Sequence, residues 1–490
     1  KLVIKKYSKH TKKRYKIGAQ KVLTYSFESI EGTLYEYVYN CIKNDIIEGN
    51  IKPGDKLPSK RSFARNNGVS TITIQNAYDQ LASEGYIYAI QKKGYYVSDI
   101  SGINVLPKDS RIVLDINIPK EEHYSYDLAG NKMSPENFPF SIWAKLTREV
   151  ISTRRDDLMR TSPMAGVPEL RGAIAEHLRS FRGMLIDPNQ IVVGAGTEYL
   201  YGVIVQLLGN DKIYAIENPG YKKLVSIYKQ YGVSPVYADL DDNGLSVEGL
   251  NKYGAEIAHI CPNHHFPTGI TMPVSRRYEM LAWANGDENR YIIEDDYDSE
   301  FRRNGKPIST LFSIDACEKV IYMNTFSKSL TPTIRMSYMV LPMHLANRLY
   351  EKLSFLSCTV SNFEQYTLAE FISKGYFEKH INRMRLYYLR QHEKIKDIIQ
   401  KSSLGKRCEI IENDSGLHFI IKLDTRIPDN ELGQKLKEKG VMIRSLSEYY
   451  LREEQAKEHL YIINYSNLNE EILSEACELI YGCLENSIEI

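Results

Sequence analysis

The stretch VIYMNTFSKSLTPTIRMSY, residues 320–338, opens with an apolar run, Val320–Met323, and then places an amine, Lys328, seven residues before a guanidinium, Arg335. Thirty-three residues upstream of Lys328, the run IIEDDYDSEF (292–301) leaves a second strand with the carboxyl groups of Glu294, Asp295 and Asp296 and the hydroxyl of Tyr297. Further strand-like runs, Ile191–Val193, Ile213–Ile216 and Ile257–Ile260, alternate with longer helical stretches. That alternation predicts a mostly parallel sheet covered by helices. Open sheets of this kind gather ligands at the carboxyl ends of their strands. Both chemistry-bearing stretches sit at such ends.

Two more groups fit the same edge. Gly194-Ala195-Gly196-Thr197 opens a helix whose Leu200, Val203, Ile204, Leu207 and Leu208 face a core. Its first backbone N–H groups are therefore open to an anion. Tyr221, in Asn218-Pro219-Gly220-Tyr221, offers a ring that can cover another ring. Ser327 adds a hydroxyl, and Arg335 can grip a phosphate bidentately. Taken singly, each has a plainer explanation: a surface lysine, a helix-capping acid, a tight turn. Taken together, they meet what pyridoxal 5′-phosphate asks of a protein: an imine-forming lysine, an acid at the pyridine nitrogen, a donor at the phenolic oxygen, a phosphate cradle and a stacking ring.

The front of the chain reads differently. Leu34, Val38, Ile42 and Ile46 recur every fourth residue, a helical face that stops before Gly49 and Pro53-Gly54. LPSKRSFARNNGVSTITIQNAYDQLASEGYI (57–87) follows. Ser59 can cap a helix that turns Phe63 and Ala64 inward, and Gly68 permits a tight helix–helix turn. Ser70 can cap the next helix, whose Ile74, Ala77, Tyr78 and Leu81 form one apolar face. Its other face offers Thr71, Thr73, Gln75 and Asn76 to base edges or phosphates. Lys60, Arg61 and Arg65 flank it, and Tyr86–Val97 reads as a two-stranded ribbon with Lys92 and Lys93 at its turn. A solvated polar helix pair would share the spacing.

Composition bounds the rest. Residues 1–99 hold 17 Lys and Arg against 9 Asp and Glu, so this part carries +8 and the remainder −7 of a net +1. A basic front on an acidic body points to a polyanionic partner, or to a solvated lysine-rich tail. The seven cysteines are scattered without a C-x-x-C pair, which argues against a disulfide framework and against a metal site. No apolar run is long enough for a membrane span, no signal peptide is evident, and a cytoplasmic location, nucleoid-associated when DNA is bound, is expected. The expected segments are a basic, flexible arm (1–27), a DNA-binding domain (28–98), a linker (99–126) and an effector domain (127–490), the last with a large part to about 380 and a smaller α+β part over 381–490.

Leu57-Pro58-Ser59, Arg61, Ala64, Gly68-Val69-Ser70, Thr73, Ala77-Tyr78, Leu81 and Glu84-Gly85 resemble the GntR-type winged helix. Asp127-Leu128-Ala129-Gly130, Pro168-Glu169-Leu170-Arg171, Phe266-Pro267-Thr268-Gly269, Glu294 to Phe301 and Ser327-Lys328-Ser329-Leu330 resemble a fold-type I aminotransferase domain. The whole is similar to the MocR/GabR family of regulators. The resemblance implies a winged helix-turn-helix head, mostly α with a small β wing, on an α/β aminotransferase-like domain. It implies Lys328 as the imine lysine, Asp295 rather than Asp296 at the pyridine nitrogen and Tyr297 at the phenolic oxygen. Gly196, Thr197, Ser327 and Arg335 surround the phosphate, and Tyr221 stacks on the ring. It also implies a homodimer that binds double-stranded operator DNA, with RNA polymerase as a further partner, and that senses an amine or amino-acid-like effector by aldimine exchange at Lys328.

Departures leave the effector open. Phe266 stands where aminotransferases have Asn, with His264 or His265 as substitute polar partners, and Lys223 stands where some relatives have Arg. Arg444 is a candidate for an effector carboxylate, with a structural arginine as its plainer reading. The alternative function is a working aminotransferase carrying a DNA-binding head; the expectation is a regulator with at most residual half-transamination.

Overall fold

The computed structural model describes residues 16–485 apart from 18–19, 22, 26, 28–31, 101–116, 120–121, 131–132, 304–307, 413–415 and 467. The chain divides into two compact units, residues 1–120 and 121–490.

The first unit grows from the four-residue apolar repeat. Val38, Ile42 and Ile46 of the helix Leu34–Ile47 are buried against Phe63 and Ala64 of Lys60–Asn67 and against Ile74, Ala77, Tyr78 and Leu81 of Thr71–Ser83. Ser59 Oγ accepts from Ser62 N at 3.2 Å and Ser70 Oγ from Thr73 N at 3.0 Å, so both short helices start on side-chain caps. Such a cap is worth about 1 kcal/mol. Gly68 ends the second helix at φ 68°, in the left-handed region. The strands Ile87–Ile90 and Gly94–Val97 pair antiparallel as the predicted ribbon, Ile87 opposite Val97.

The expected boundaries shift. Of the arm, residues 1–15 lie outside the described residues, but Leu23, Tyr25 and Phe27 pack on the core of the head. Tyr25 donates its hydroxyl to Asp45 Oδ2 and its backbone N–H to Asn67 Oδ1, both at 2.9 Å. The end of the arm thus packs with the domain, its Leu23, Tyr25 and Phe27 half-buried against the same core. Most of the linker, 101–116, also lies outside the described residues; Ile100 still packs on the head.

The second unit is a three-layer α/β structure. Its eight-stranded sheet runs in the order Ile191–Gly194, Ser337–Val340, Val320–Thr325, Tyr291–Asp295, Ile257–Ile260, Tyr214–Asn218, Val236–Asp241, Gly244–Leu245. The strands from Val320–Thr325 to Val236–Asp241 are mutually parallel; Ser337–Val340 runs antiparallel to both its neighbours. Strands such as Ile191–Gly194 and Val320–Thr325 are buried along their whole length, which is why they read as unbroken apolar runs. Helices cover both faces, Thr197–Leu208 among them. No helix among the described residues is long and apolar enough to cross a membrane.

A smaller antiparallel sheet, Cys408–Ile411, His418–Leu423, Leu460–Asn464, Arg444–Ser445, packs on the helices Tyr376–Lys401 and Glu470–Glu485. The strand expected in this part at Val441–Ile443 does not join that sheet. Val441–Met442 pairs in parallel with Tyr126–Asp127, Tyr126 N donating to Gly440 O at 3.0 Å and Leu128 N to Met442 O at 2.8 Å. The entry of the chain into this unit therefore belongs with the C-terminal part, and the domain begins before Asp127.

Candidate cofactor site and DNA-facing helix

The carboxyl ends of five strands converge, and each delivers one element of the site. Asp295 is the last residue of Tyr291–Asp295 and is 8% exposed. Its Oδ2 accepts from the Tyr201 hydroxyl at 2.5 Å and lies 3.6 Å from His259 Nε2. Its Oδ1 is buried with no hydrogen-bond partner among the described residues. Asp296 points the other way. It accepts from Arg182 at 2.5 Å, from Asn263 Nδ2 at 2.6 Å and from the Tyr322 hydroxyl at 2.8 Å, inside the unit. Of the two neighbouring acids, Asp295 keeps a lone pair for something else. Asp296 is spent on structure.

Tyr297 follows, its hydroxyl 3.2 Å from His264 Nδ1. Burial pushes its phenol well above the ordinary range, so the group stays protonated and able to donate. Lys328 lies in the one-turn helix Phe326–Ser329, and its Nζ sits 6.0 Å from the centre of the Tyr297 ring. Burial lowers its pKa, against an opposing pull from Asp298, which favours the neutral amine a nucleophile needs.

The candidate anion cradle lies at the start of Thr197–Leu208. Gly196 has φ 90°, and a Cβ there would come within 2.6 Å of Arg335 Nη2, so only glycine lets the guanidinium lie on the turn. Arg335 Nη2 is 3.6 Å from Glu198 Oε1, and Lys223 Nζ also donates to that carboxylate. Thr197 and Ser327 are half-buried beside this turn and beside Lys328 in sequence, and Ser327 N donates to Thr325 Oγ1 at 3.1 Å. Tyr221 is half-exposed and meets Phe266 edge-on, ring centres 6.4 Å apart.

The effector candidates separate. His264 is in the site, between Tyr297 and Asp298. His265 turns away: its Nδ1 meets Thr268 Oγ1 at 2.7 Å, its Nε2 is 3.4 Å from Glu217 Oε2, and burial pushes its pKa down to about 3. Arg444 already donates to Glu448 Oε2 at 2.6 Å on the small sheet, close to Tyr449. Lys223 is taken by Glu198. Sequence reasoning missed Tyr201, Asp298 and His418. Tyr201 carried one signal, a phenol amid the apolar face of its helix.

In the head, Thr71, Gln75 and Asn76 are exposed on the third helix, and Arg61 and Arg65 on the second. Ser70 and Thr73 share a 2.8 Å hydroxyl contact as part of the cap. Lys60 is drawn inward, over the Tyr95 ring at 5.0 Å and 3.7 Å from Asp79. Lys92 and Lys93 are exposed at the ribbon turn, with Lys92 at φ 62°. Among the described residues no cluster of His, Cys, Asp and Glu could hold a metal ion.

Comparison with known proteins agrees on both units. Residues 34–97 match the family of bacterial regulatory proteins called gntR, and residues 126–480 match aminotransferase class I and II. The HTH-type transcriptional regulator YdeL of Bacillus subtilis is 35% identical over 85% of this chain and 90% of its own. The probable rhizopine catabolism regulatory protein MocR of Rhizobium meliloti is 29% identical over 85% of this chain and 87% of its own. A kynurenine aminotransferase from Pyrococcus horikoshii superposes with a TM-score of 0.65 at 22% identity, covering 75% of this chain and 92% of that one.

Proposed function

The chain belongs to the MocR-type regulators, a GntR head joined to an aminotransferase class I and II domain, and on that premise we propose that it is a DNA-binding transcription regulator that uses pyridoxal 5′-phosphate to sense an amine or amino-acid-like effector. One observation carries the cofactor reading. Asp295 Oδ1 is a buried acceptor without a hydrogen-bond partner among the described residues, held at the sheet edge that also bears Lys328. A buried carboxylate oxygen left unpaired is expensive, and a pyridinium N–H would satisfy it.

When bound, the cofactor supplies an aldehyde that condenses reversibly with a primary amine. The remaining roles fall to the chain. Lys328 would hold the aldehyde carbon through its desolvated amine. Asp295 would hold the proton on the ring nitrogen, with Tyr201 fixing the carboxylate. Tyr297 would donate to the phenolic oxygen. Gly196, Thr197, Ser327 and Arg335 would hold the phosphate, with Lys223, paired to Glu198, as a nearby cation, and Tyr221 would cover the ring. An effector amine would compete with Lys328 for that aldehyde, and a Lys328 side chain left free would bias the unit between two arrangements.

The head reads operator DNA through Thr71, Thr73, Gln75 and Asn76, with Ser70 at the helix start. Arg61, Arg65, Lys92 and Lys93 bear on phosphates, and Lys60 plays a lesser part. A homodimer acting in the cytoplasm suits a repeated operator. Two measurements on the purified full chain test this: visible absorbance after addition of pyridoxal 5′-phosphate, with Lys328→Ala as the colourless control, and binding to its own upstream DNA with and without amino acids. A wild-type protein that stays colourless, or an effector response kept by the alanine variant, overturns the sensor. Steady-state amino transfer to a keto acid would favour the enzymatic alternative.

A further inference from the structure

His264 Nδ1 has two oxygen neighbours, Asp298 Oδ2 at 2.8 Å and the Tyr297 hydroxyl at 3.2 Å. His264 is 2% exposed and Asp298 3%, and Tyr297 is half-buried beside them. A carboxylate can only accept. Nδ1 therefore carries a hydrogen and donates it to Asp298. A protonated Nδ1 cannot accept from Tyr297, so the phenol oxygen faces a donor there, and its own hydrogen is turned elsewhere.

The imidazole has no freedom to escape the assignment. A Cβ on Gly416 would fall 1.8 Å from His264 Cε1, so the backbone of the small sheet's approach loop lies flat against the ring. The His418 ring stands 4.7 Å away at 41°. His418 is itself pinned, Nε2–H donating to Pro267 O at 3.1 Å. A flip of the ring would put Cδ2, a carbon, where Nδ1 meets Asp298 Oδ2 and would forfeit that hydrogen bond.

We infer that Asp298 and His264 are positioning residues that fix the Tyr297 hydroxyl as a hydrogen-bond donor toward the cofactor's phenolic oxygen. Asp298 sets the tautomer of His264, and that tautomer refuses the tyrosine's proton. Without Asp298, the neutral imidazole can carry its hydrogen on Nε2, and Nδ1 then competes for the Tyr297 proton. The inference rests on Lys328 being the cofactor lysine, and it moves His264 from the effector to the cofactor. The other ionisable groups that bear on Tyr297 are Cys261, Asp295 and Glu217, and those on His418 are Lys328, His264 and His265.

The test uses the full chain loaded with pyridoxal 5′-phosphate and reads the pH midpoint of its visible absorbance. A donor withdrawn from the phenolic oxygen leaves that oxygen more basic, so the proton it shares with the lysine nitrogen persists to higher pH. Tyr297→Phe and Asp298→Leu should each raise the midpoint by about one pH unit, the size of one hydrogen bond to a charged oxygen. Asp298→Asn, which keeps an accepting oxygen, should stay near wild type. His264→Phe added to Asp298→Leu should bring the midpoint back, since no nitrogen then competes. A midpoint unmoved by Asp298→Leu, or one that His264→Phe fails to restore, overturns the inference. Should Asp298→Leu not fold, nitrogen-15 spectra of histidine-labelled wild type decide, with the His264 signal assigned by its loss in His264→Phe. Nδ1 must carry the hydrogen, and an unprotonated Nδ1 overturns it. That last reading needs no cofactor, so a protein that takes up none would sink the proposed function and leave the dyad separately judged.

Discussion

Tyr201 donates to Asp295 Oδ2 at 2.5 Å and thereby turns the other oxygen of that carboxylate into a buried, unshared acceptor. The helix Thr197–Leu208 supplies both this phenol and, at its first turn, the glycine that admits Arg335. One helix thus orients the two ends of the site.

The neighbouring acids should fail in different ways. Asp295→Asn removes the charge from a group whose second oxygen has no structural duty; cofactor uptake should weaken by about tenfold or more while the melting temperature stays close to wild type. Asp296→Asn breaks a buried pair with Arg182, the two side chains 1% and 2% exposed, and should destabilise the unit by about 3–5 kcal/mol. Spectral titration and thermal melting on both variants check the split. Reversed outcomes would mean Asp296 holds the ring.

Gly196→Ala places a methyl 2.6 Å from Arg335 Nη2 at a backbone φ of 90°. The expected result is about a tenfold loss in affinity for pyridoxal 5′-phosphate, from a displaced guanidinium, with little change for pyridoxal, which lacks the phosphate. Equal losses for both compounds would place the damage in the fold and not in the cradle.

Salt dependence separates the basic residues of the head. Arg61→Ala and Arg65→Ala should each reduce the slope of log affinity against log salt by about one on the chain's own upstream DNA. Lys60→Ala should barely change the slope and should instead lower the melting temperature, because its ammonium is engaged with Tyr95 and Asp79. Fluorescence anisotropy across a salt series distinguishes them.

Glu217 gives a pH signature. Burial pushes its carboxyl up to about 8, against an ordinary value of 4.5, and its Oε2 accepts from Cys261 N at 3.0 Å. A folded-state pKa raised this way means that the folded chain binds the extra proton, so stability falls as pH climbs from 4.5 through about 8. Glu217→Gln keeps the accepting oxygen without the charge. It should match wild type near pH 5 and melt several degrees higher near pH 9, both measured on the protein free of cofactor. A gain at the acid end instead would contradict the burial.

Much of this was legible in the chain. Asp295 ends an apolar strand and Tyr297 and Lys328 follow just past strand ends, and strand ends are where such a sheet meets a ligand. The head was readable because its caps, Ser59 and Ser70, and its turn residue, Gly68, leave local marks. What stayed hidden lies in long-range pairing. Val441–Met442 and Tyr126–Asp127 are two-residue strands, too short for any periodicity, and they meet across more than three hundred positions. The Arg182–Asp296 pair spans 114 positions, and nothing local marks the acid as structural. Asp298 looked like one more acid in an acidic run until His264 was found against it.

Lys328 and Arg335 hang from one connection, the crossing from Val320–Thr325 to Ser337–Val340, whose two feet are joined where Thr325 pairs with Ser337. On the proposed reading, the hook for the aldehyde and the clasp for the phosphate would be mounted on a single bracket. A messenger amine that took the place of the lysine would leave the phosphate grip where it is, and a detector built this way could reset without being refilled.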